Sequence, residues 1–347
     1  MSVKFVEIEG LKIGGGAPVR VESMLKTRLS YLDGCLSECE ALARSGCELA
    51  RVALPDEESA EAFAPLIKKS ALPLMADIHF NHKIALAALN AGCRAIRINP
   101  GNMRVGLGEI IAAAKDLGAV IRIGANGGSL NNEQTAETSG DRGAALVLAV
   151  EEQLHQLVDN GFEKIIISAK SSSIAETVRA NTLLAARYPF PIHIGITEAG
   201  NGNAGIVKGS IRIGLMLAQG IGDTIRVSLT APGTEEVETG YNILRALGIR
   251  KHGWQLISCP TCGRRRIEVA DLTERLRGII PPGANSGMTI AVMGCEVNGP
   301  KEAAGADFGI AGSPDDVIVF KKGRFGCRGK TEDFEEIILR EIPIMNR

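Results

Sequence analysis

Ala95-Ile-Arg-Ile-Asn99, a segment stopping at Leu117-Gly118, then Val120-Ile-Arg-Ile-Gly124: two short apolar runs, each holding one arginine, decide how the chain is read. Runs of the same kind occur at Val19–Met24, Leu49–Leu54, Pro73–His79, Lys164–Ser168, Pro191–Ile196 and Thr224–Leu229, which makes eight. Between them lie segments of helical periodicity, such as Ser59–Lys69, Lys83–Ala91 and Ala144–Asn160. Helix stops stand at Ser45-Gly46, Ala91-Gly92, Leu117-Gly118 and Asn160-Gly161. Strands without polar alternation are those buried on both faces of a parallel sheet. Eight such units in succession predict an α/β fold, a (β/α)8 TIM-like barrel. The alternative is an open doubly wound sheet, but no G-x-G-x-x-G follows the first strand.

After residue 250 the pattern changes. Helix-like Glu268–Arg277, strand-like Met288–Met293, Phe308–Ala311 and Asp316–Lys321, and helix-like Thr331–Leu339 predict a small α+β domain. The expected division is a substrate-binding barrel over 1–250 and a metal-carrying domain over 251–347, with the boundary near Arg250–Gly253.

That second domain holds Cys259-Pro-Thr-Cys262 and, 33 positions on, Cys295. Two thiolates at C-x-x-C spacing clamp one metal centre from a single turn, and a third thiolate adds to it. One reading is structural zinc, which wants four closed ligands, with Cys327 as the fourth sulfur. The other is an iron–sulfur cluster on three cysteines, with a carboxylate, Glu296 or Glu302, at the remaining corner. Spacing alone leaves both open. Cys35, Cys39, Cys47 and Cys93 lie in or beside helix-like segments and read as small apolar core residues.

The strands carry charge where a barrel places its chemistry. Arg51, Arg97, Arg122 and Arg226 sit in otherwise apolar strands, with Lys170 at the end of another. In a barrel they converge near one axis, at the C-terminal mouth. Buried like charges are costly unless an anion joins them. Phosphate, which arginine grips with two hydrogen bonds, is the obvious one, and a diphosphate suits this many cations better than a monophosphate.

Composition narrows the partners. The net charge of −1 over 347 residues gives no global basic field for nucleic acid. Met1–Gly16 shows no signal pattern and no run reaches the length of a membrane span, so a cytoplasmic protein is expected, in which the eight cysteines read as ligands or buried thiols rather than disulfides. Arg264, Arg265 and Arg266 after the C-x-x-C, and Lys321, Lys322, Arg324, Arg328 and Lys330 later, are either a solvated face or a docking surface for an acidic electron carrier.

Six stretches resemble one family: Asp77-Ile-His-Phe80, Arg97-Ile-Asn-Pro-Gly-Asn102, Gly195-Ile-Thr-Glu-Ala-Gly200, Gly220-Ile-Gly-Asp-Thr-Ile-Arg-Val-Ser-Leu229, Cys259-Pro-Thr-Cys262 and Cys295-Glu-Val-Asn-Gly-Pro300. In this order, and over nearly the whole chain, they resemble the 4-hydroxy-3-methylbut-2-enyl diphosphate synthases of non-mevalonate isoprenoid synthesis, in their compact bacterial form. The resemblance implies a barrel that binds 2-C-methyl-D-erythritol 2,4-cyclodiphosphate. It implies a [4Fe–4S] cluster on Cys259, Cys262, Cys295 and Glu302, a flavodoxin or ferredoxin donor, and a head-to-tail homodimer with composite active sites. The other reading is a barrel enzyme for another phosphorylated or pterin substrate with a structural zinc domain.

On that basis the substrate-binding candidates are Arg51, Arg97, Arg122, Asn126 and Lys170, with His193, Arg226 and Ser228 beside them. Glu198, at the seventh strand's mouth, is the candidate general acid. Asp77 and His79 are read as orienting groups. The chain departs from the family's usual pattern at Glu22 for glutamine, at Leu25-Lys26 for a Thr-Asn-like pair, at Ala125-Asn126-Gly127, and at Lys301 for glycine.

Overall fold

In the computed structural model the described residues are 2–342 other than 80, 99–104, 196–199, 282, 285, 298 and 315, with backbone alone described at 129 and 300. The chain divides into two compact units, Met1–Arg250 and Lys251–Arg347.

Unit one opens with an antiparallel hairpin, β1 (Phe5–Ile8) and β2 (Leu11–Gly14). There follow β3 (Arg20–Met24), α1 (Leu32–Arg44), β4 (Leu49–Ala53), α2 (Glu57–Lys69), β5 (Leu74–Ile78), α3 (His82–Asn90), β6 (Ala95–Ile98), α4 (Leu107–Leu117) and β7 (Val120–Asn126). Then come α5 (Asn132–Glu137), α6 (Arg142–Asp159), β8 (Ile165–Lys170), α7 (Ile174–Arg187), β9 (His193–Gly195), α8 (Gly202–Ala218), β10 (Thr224–Arg226) and α9 (Gly233–Ala246). The strands pair in parallel in the order β8-β7-β6-β5-β4-β3-β10-β9, and a bridge from Ile167 to Ile192 brings the two ends together. The eight apolar runs are thus the eight barrel strands. Every residue of β5, and all but the last of β4 and β7, is buried, because helices cover the outside while side chains fill the inside.

The sequence reading did not foresee the opening hairpin. Glu9 and Gly10 turn it with φ of 49° and 83°, and Val6, Ile8 and Ile13 pack on Leu49, Met75, Ala95, Val120 and Ile166 near the strand starts. The hairpin therefore plugs the N-terminal end of the barrel and leaves chemistry to the C-terminal end. Two predicted strands are only half the expected length. β10 stops at Arg226, since the Leu229 amide donates instead to the Glu236 carboxylate, 3.0 Å away. β9 spans only His193–Gly195, and Ile196 lies outside the described residues. Cys35, Cys39, Cys47 and Cys93 are buried free thiols, and burial pushes Cys47 up to about 12.

Unit two contains β11 (Gln255–Ser258), α10 (Val269–Ile279), β12 (Thr289–Met293), α11 (Gly299–Glu302), β13 (Phe308–Ser313), β14 (Asp316–Lys321), β15 (Arg324–Gly329) and α12 (Phe334–Glu341). Its sheet runs β11-β12-β13-β14-β15, the first three strands parallel and the last two antiparallel. Leu272 and Leu276 of α10 and Ile337 and Ile338 of α12 cover it, with Ile290, Val292 and Ile310 beneath. β11 and β15 were not foreseen.

Candidate functional site

Arg51 on β4, Arg97 on β6, Arg122 and Asn126 on β7, Lys170 ending β8 and Arg226 ending β10 line one cavity of about 270 Å³, with Met24, Asp77, His79 and Ser168. Parallel register does this. Arg97 and Arg122 are direct neighbours on β6 and β7, and Asn126 stands opposite Lys170. His193 is fully buried on β9 and Ser228 half-buried beyond β10; neither lines the cavity. Glu198 lies outside the described residues.

Buried carboxylates hold these cations in place. Asp77 is flanked on both sides: its Oδ2 forms an ion pair with Arg51 Nε at 3.1 Å, and its Oδ1 accepts from Arg97 Nη1 at 3.1 Å. Burial opposes ionisation of Asp77, but Arg51, Arg97 and His79 outweigh it and keep its pKa below the usual range. Glu22 accepts from Arg122, and its other oxygen is 3.5 Å from His193 Nδ1, which also meets Thr224 Oγ1 at 2.6 Å. Glu236 faces Arg226 at 3.7 Å. None of these carboxylate partnerships was foreseen except the orienting role read for Asp77. The partners are far apart in sequence, and no local pattern signals them.

Around the cavity, five cations (Arg51, Arg97, Arg122, Lys170, Arg226) face three carboxylates (Glu22, Asp77, Glu236) among the described residues. Lys170 carries the strain of that excess. Burial, then the charges of Arg51, Arg97, Arg122 and Arg226, hold its pKa well below its ordinary value. Burial, then the charges of Arg122, Lys170, Arg51 and Arg226, likewise hold the pKa of His193 well below its ordinary value. Burial and Arg51 lower Arg226 to about 10, so it stays charged at neutral pH. Arg122 Nε and Nη1, Ser168 Oγ, His193 Nε2 and Arg226 Nε are buried without a hydrogen-bond partner among the described residues. Unmade bonds of this kind are expensive unless a ligand makes them. Gly195 is part of the fit: a methyl there would lie 2.5 Å from Lys170 Nζ and 3.0 Å from His193 Nε2.

In unit two, the parallel pair β11 and β12 delivers Cys259 and Cys295 at the same sheet end, Ser258 standing opposite Val292. Thr261 takes a φ of 60°, left-handed for a β-branched residue, to close the C-x-x-C turn. Cys259, Cys262, Cys295 and Glu302 then line a cavity of about 140 Å³. The Gly294 amide donates to Cys259 Sγ at 3.0 Å. Hydrogen bonds from the Arg264 backbone and side chain lower the Cys262 thiol. Amide donors and a depressed thiol pKa are what thiolate ligands need.

The donor set fits an iron–sulfur cluster better than zinc. Cys327 does not line the cavity; it packs against the apolar core that includes Val319, its partner across β14 and β15. Glu296 is turned to Arg266, 3.5 Å away, whereas Glu302 faces the thiols. Among the described residues no group of three or more His, Cys, Asp or Glu closes tightly enough for one metal ion.

The fold and these two cavities define a (β/α)8-barrel protein with an anion-ready mouth and a separate thiol-bearing domain. Residues 3–241 match the GcpE TIM-barrel domain and 255–343 the GcpE protein C-terminal domain. The chain belongs to the GcpE family. It is 40% identical over 346 residues to a 4-hydroxy-3-methylbut-2-en-1-yl diphosphate synthase (flavodoxin) of Desulfotalea psychrophila, covering 98% of this chain and 95% of that one. With the same-named protein of Maridesulfovibrio salexigens it shares 45% over 313 residues, 90% of this chain and 87% of the other. In three dimensions it is similar to the dihydropteroate synthase of Yersinia pestis, with a TM-score of 0.51 at 14% identity over 70% of this chain and 98% of that one. At that identity the likeness is one of fold alone. Among the described residues no helix is long and apolar enough to cross a membrane.

Proposed function

We propose that the chain opens the ring of 2-C-methyl-D-erythritol 2,4-cyclodiphosphate and removes a hydroxyl. The product is 4-hydroxy-3-methylbut-2-enyl diphosphate, and two electrons and two protons are consumed as one water leaves. The observation that carries this reading is the barrel mouth, where cations outnumber carboxylates and buried donors wait unpartnered. Arg51, Arg97, Arg122, Asn126, Lys170 and Arg226 grip the diphosphate; Asp77 and Glu22 fix the arginines so that little reorganises on binding. His193 backs Lys170, and Ser228 follows the β10 end of the same mouth. Glu198 is the proton donor to the departing hydroxyl.

Cys259, Cys262, Cys295 and Glu302 would hold a [4Fe–4S] cluster. When bound, the cluster supplies the two electrons, received from a reduced flavodoxin such as the relatives' names specify, or from a ferredoxin. The exposed Arg264, Arg265 and Arg266 beside the thiols suit an acidic carrier. A closed two-fold homodimer with composite sites brings mouth and thiols together, in the cytoplasm, where thiolates stay reduced.

The test is direct. Anaerobic, iron-loaded protein is given reduced flavodoxin and the cyclic diphosphate, and phosphorus resonance follows the product. Turnover lost in Arg122→Ala is the expected result. A colourless protein that binds one zinc and leaves the cyclic diphosphate intact would overturn the proposal.

A further inference from the structure

Glu236, on the first turn of α9, is 1% exposed, and both of its carboxylate oxygens accept hydrogen bonds. Its Oε1 accepts from the Leu229 amide at 3.0 Å and from Lys26 Nζ at 3.1 Å; its Oε2 accepts from Ser23 Oγ at 2.9 Å. Lys26 reaches Glu236 from the loop after β3 and is anchored there by the carbonyls of Leu229, at 3.2 Å, and Ala231. Arg226, also beside Glu236, is left out of this arrangement. Its Nε is 3.7 Å from Oε2, buried and without a hydrogen-bond partner among the described residues. Of two cations competing for one carboxylate, the more exposed has won, and the buried one faces the cavity.

We propose that Lys26 is a positioning residue: by occupying Glu236 it keeps the Arg226 guanidinium free for the anion in the barrel mouth. A carboxylate with no other cation would draw Arg226 into a charge-assisted pair and away from the ligand. Lys26 does not line the mouth cavity, so its effect on the ligand passes through Glu236 and Arg226. The inference rests on the anionic-substrate reading above, and supplies what that reading lacks: the reason Arg226 is available.

The experiment uses the full-length, iron-loaded protein, with calorimetric binding of inorganic pyrophosphate and steady-state turnover of the cyclic diphosphate. Lys26→Met is expected to weaken pyrophosphate binding and raise KM about five- to tenfold, with kcat within about twofold. Glu236→Gln added to Lys26→Met should recover affinity to within about twofold of the parent, since the amide no longer attracts Arg226. In an Arg226→Ala background, Lys26→Met should cost nothing more. Thermal melting checks that each variant is folded. Unchanged affinity in Lys26→Met overturns the proposal, and so does an equal loss with and without Arg226. If Arg122→Ala weakens binding while Lys26→Met does not, only this inference fails; if neither does, the anionic mouth fails with it.

Discussion

Gly195→Ala separates folding from function at the barrel mouth. Gly195 has no left-handed φ, so alanine brings no backbone strain there. What it brings is one methyl group, 2.5 Å from Lys170 Nζ and 2.7 Å from its Cε, where ordinary contact begins near 3.4 Å. β9 cannot yield, because it is paired to β10 at this position, Gly195 opposite Arg226. The lysine must therefore retreat by about 1 Å, a displacement that costs roughly a hundredfold where geometry matters. Moving the end of a flexible side chain is cheap for the fold, so stability should change by about 1 kcal/mol or less. For the ligand, the lost ammonium–phosphate bond is about 1.5–3 kcal/mol, or roughly 10- to 150-fold in affinity. Pyrophosphate titration measures the second quantity and thermal melting the first. In a Lys170→Ala background the same substitution should have no further effect on binding. Unchanged affinity, or an equal loss without the lysine, would refute the reasoning.

Four other outcomes are expected. Arg97→Ala should weaken substrate binding about tenfold or more while leaving the visible spectrum of the cluster intact, and Arg97→Lys should also impair it because the planar fork is lost; unaltered affinity would remove Arg97 from the site. Lys170 has a lower pKa folded than unfolded, so the unfolded chain binds more protons in the window between, and ligand-free stability should rise with pH up to its ordinary 10.5; denaturant titrations should show a shallower rise in Lys170→Met, and an identical slope would contradict the assignment. Cys295→Ala should lose most of its iron, whereas Glu302→Ala keeps much iron but little turnover and Glu296→Ala is milder in both; full activity in Glu302→Ala with none in Glu296→Ala would reverse the ligand assignment. Mixing Arg122→Ala with Cys259→Ala subunits should restore part of the activity through hybrid dimers, and no recovery after verified exchange would argue against composite sites.

The barrel was legible because its strands are simple objects. A strand covered by helices outside and packed side chains inside has no polar face, so it reads as a short apolar run, and β4, β5 and β7 are of this kind. The strands that escaped are those with one face in water or at an edge. β1 alternates exposed and buried residues over four positions, β11 is exposed at both ends, and β15 carries Arg324, Cys327 and Arg328 with no residue fully buried. Each is held by its sheet partner rather than by its own pattern, and such pairing is not written in a local window of sequence.

The site divides along the same line. An arginine inside an apolar strand is conspicuous, so the cations could be gathered from the sequence before any coordinates. Their counter-charges could not. Glu22 lies 100 residues from Arg122, and Glu236 reads as an ordinary acidic residue in a helix's first turn. Yet the carboxylates decide what each cation can do. Asp77 fastens Arg51 and Arg97 as a rigid pair, Glu22 spends its two oxygens on Arg122 and His193, and Glu236 is occupied by Lys26. Arg226 keeps only a 3.7 Å approach to Glu236, and Lys170 has no carboxylate that close among the described residues; its pKa is held well below its ordinary value. An arriving diphosphate therefore does two things at once. Seated as proposed, it would complete the unmade bonds of Arg122 and Arg226, and by its own charge it would raise the pKa of Lys170. Binding should then take up protons in a window below the ordinary 10.5 of lysine, more strongly in the parent than in Lys170→Met. Calorimetry in two buffers of different ionisation enthalpy measures that uptake, and an equal value in both proteins would mean that Lys170 is already charged in the empty mouth.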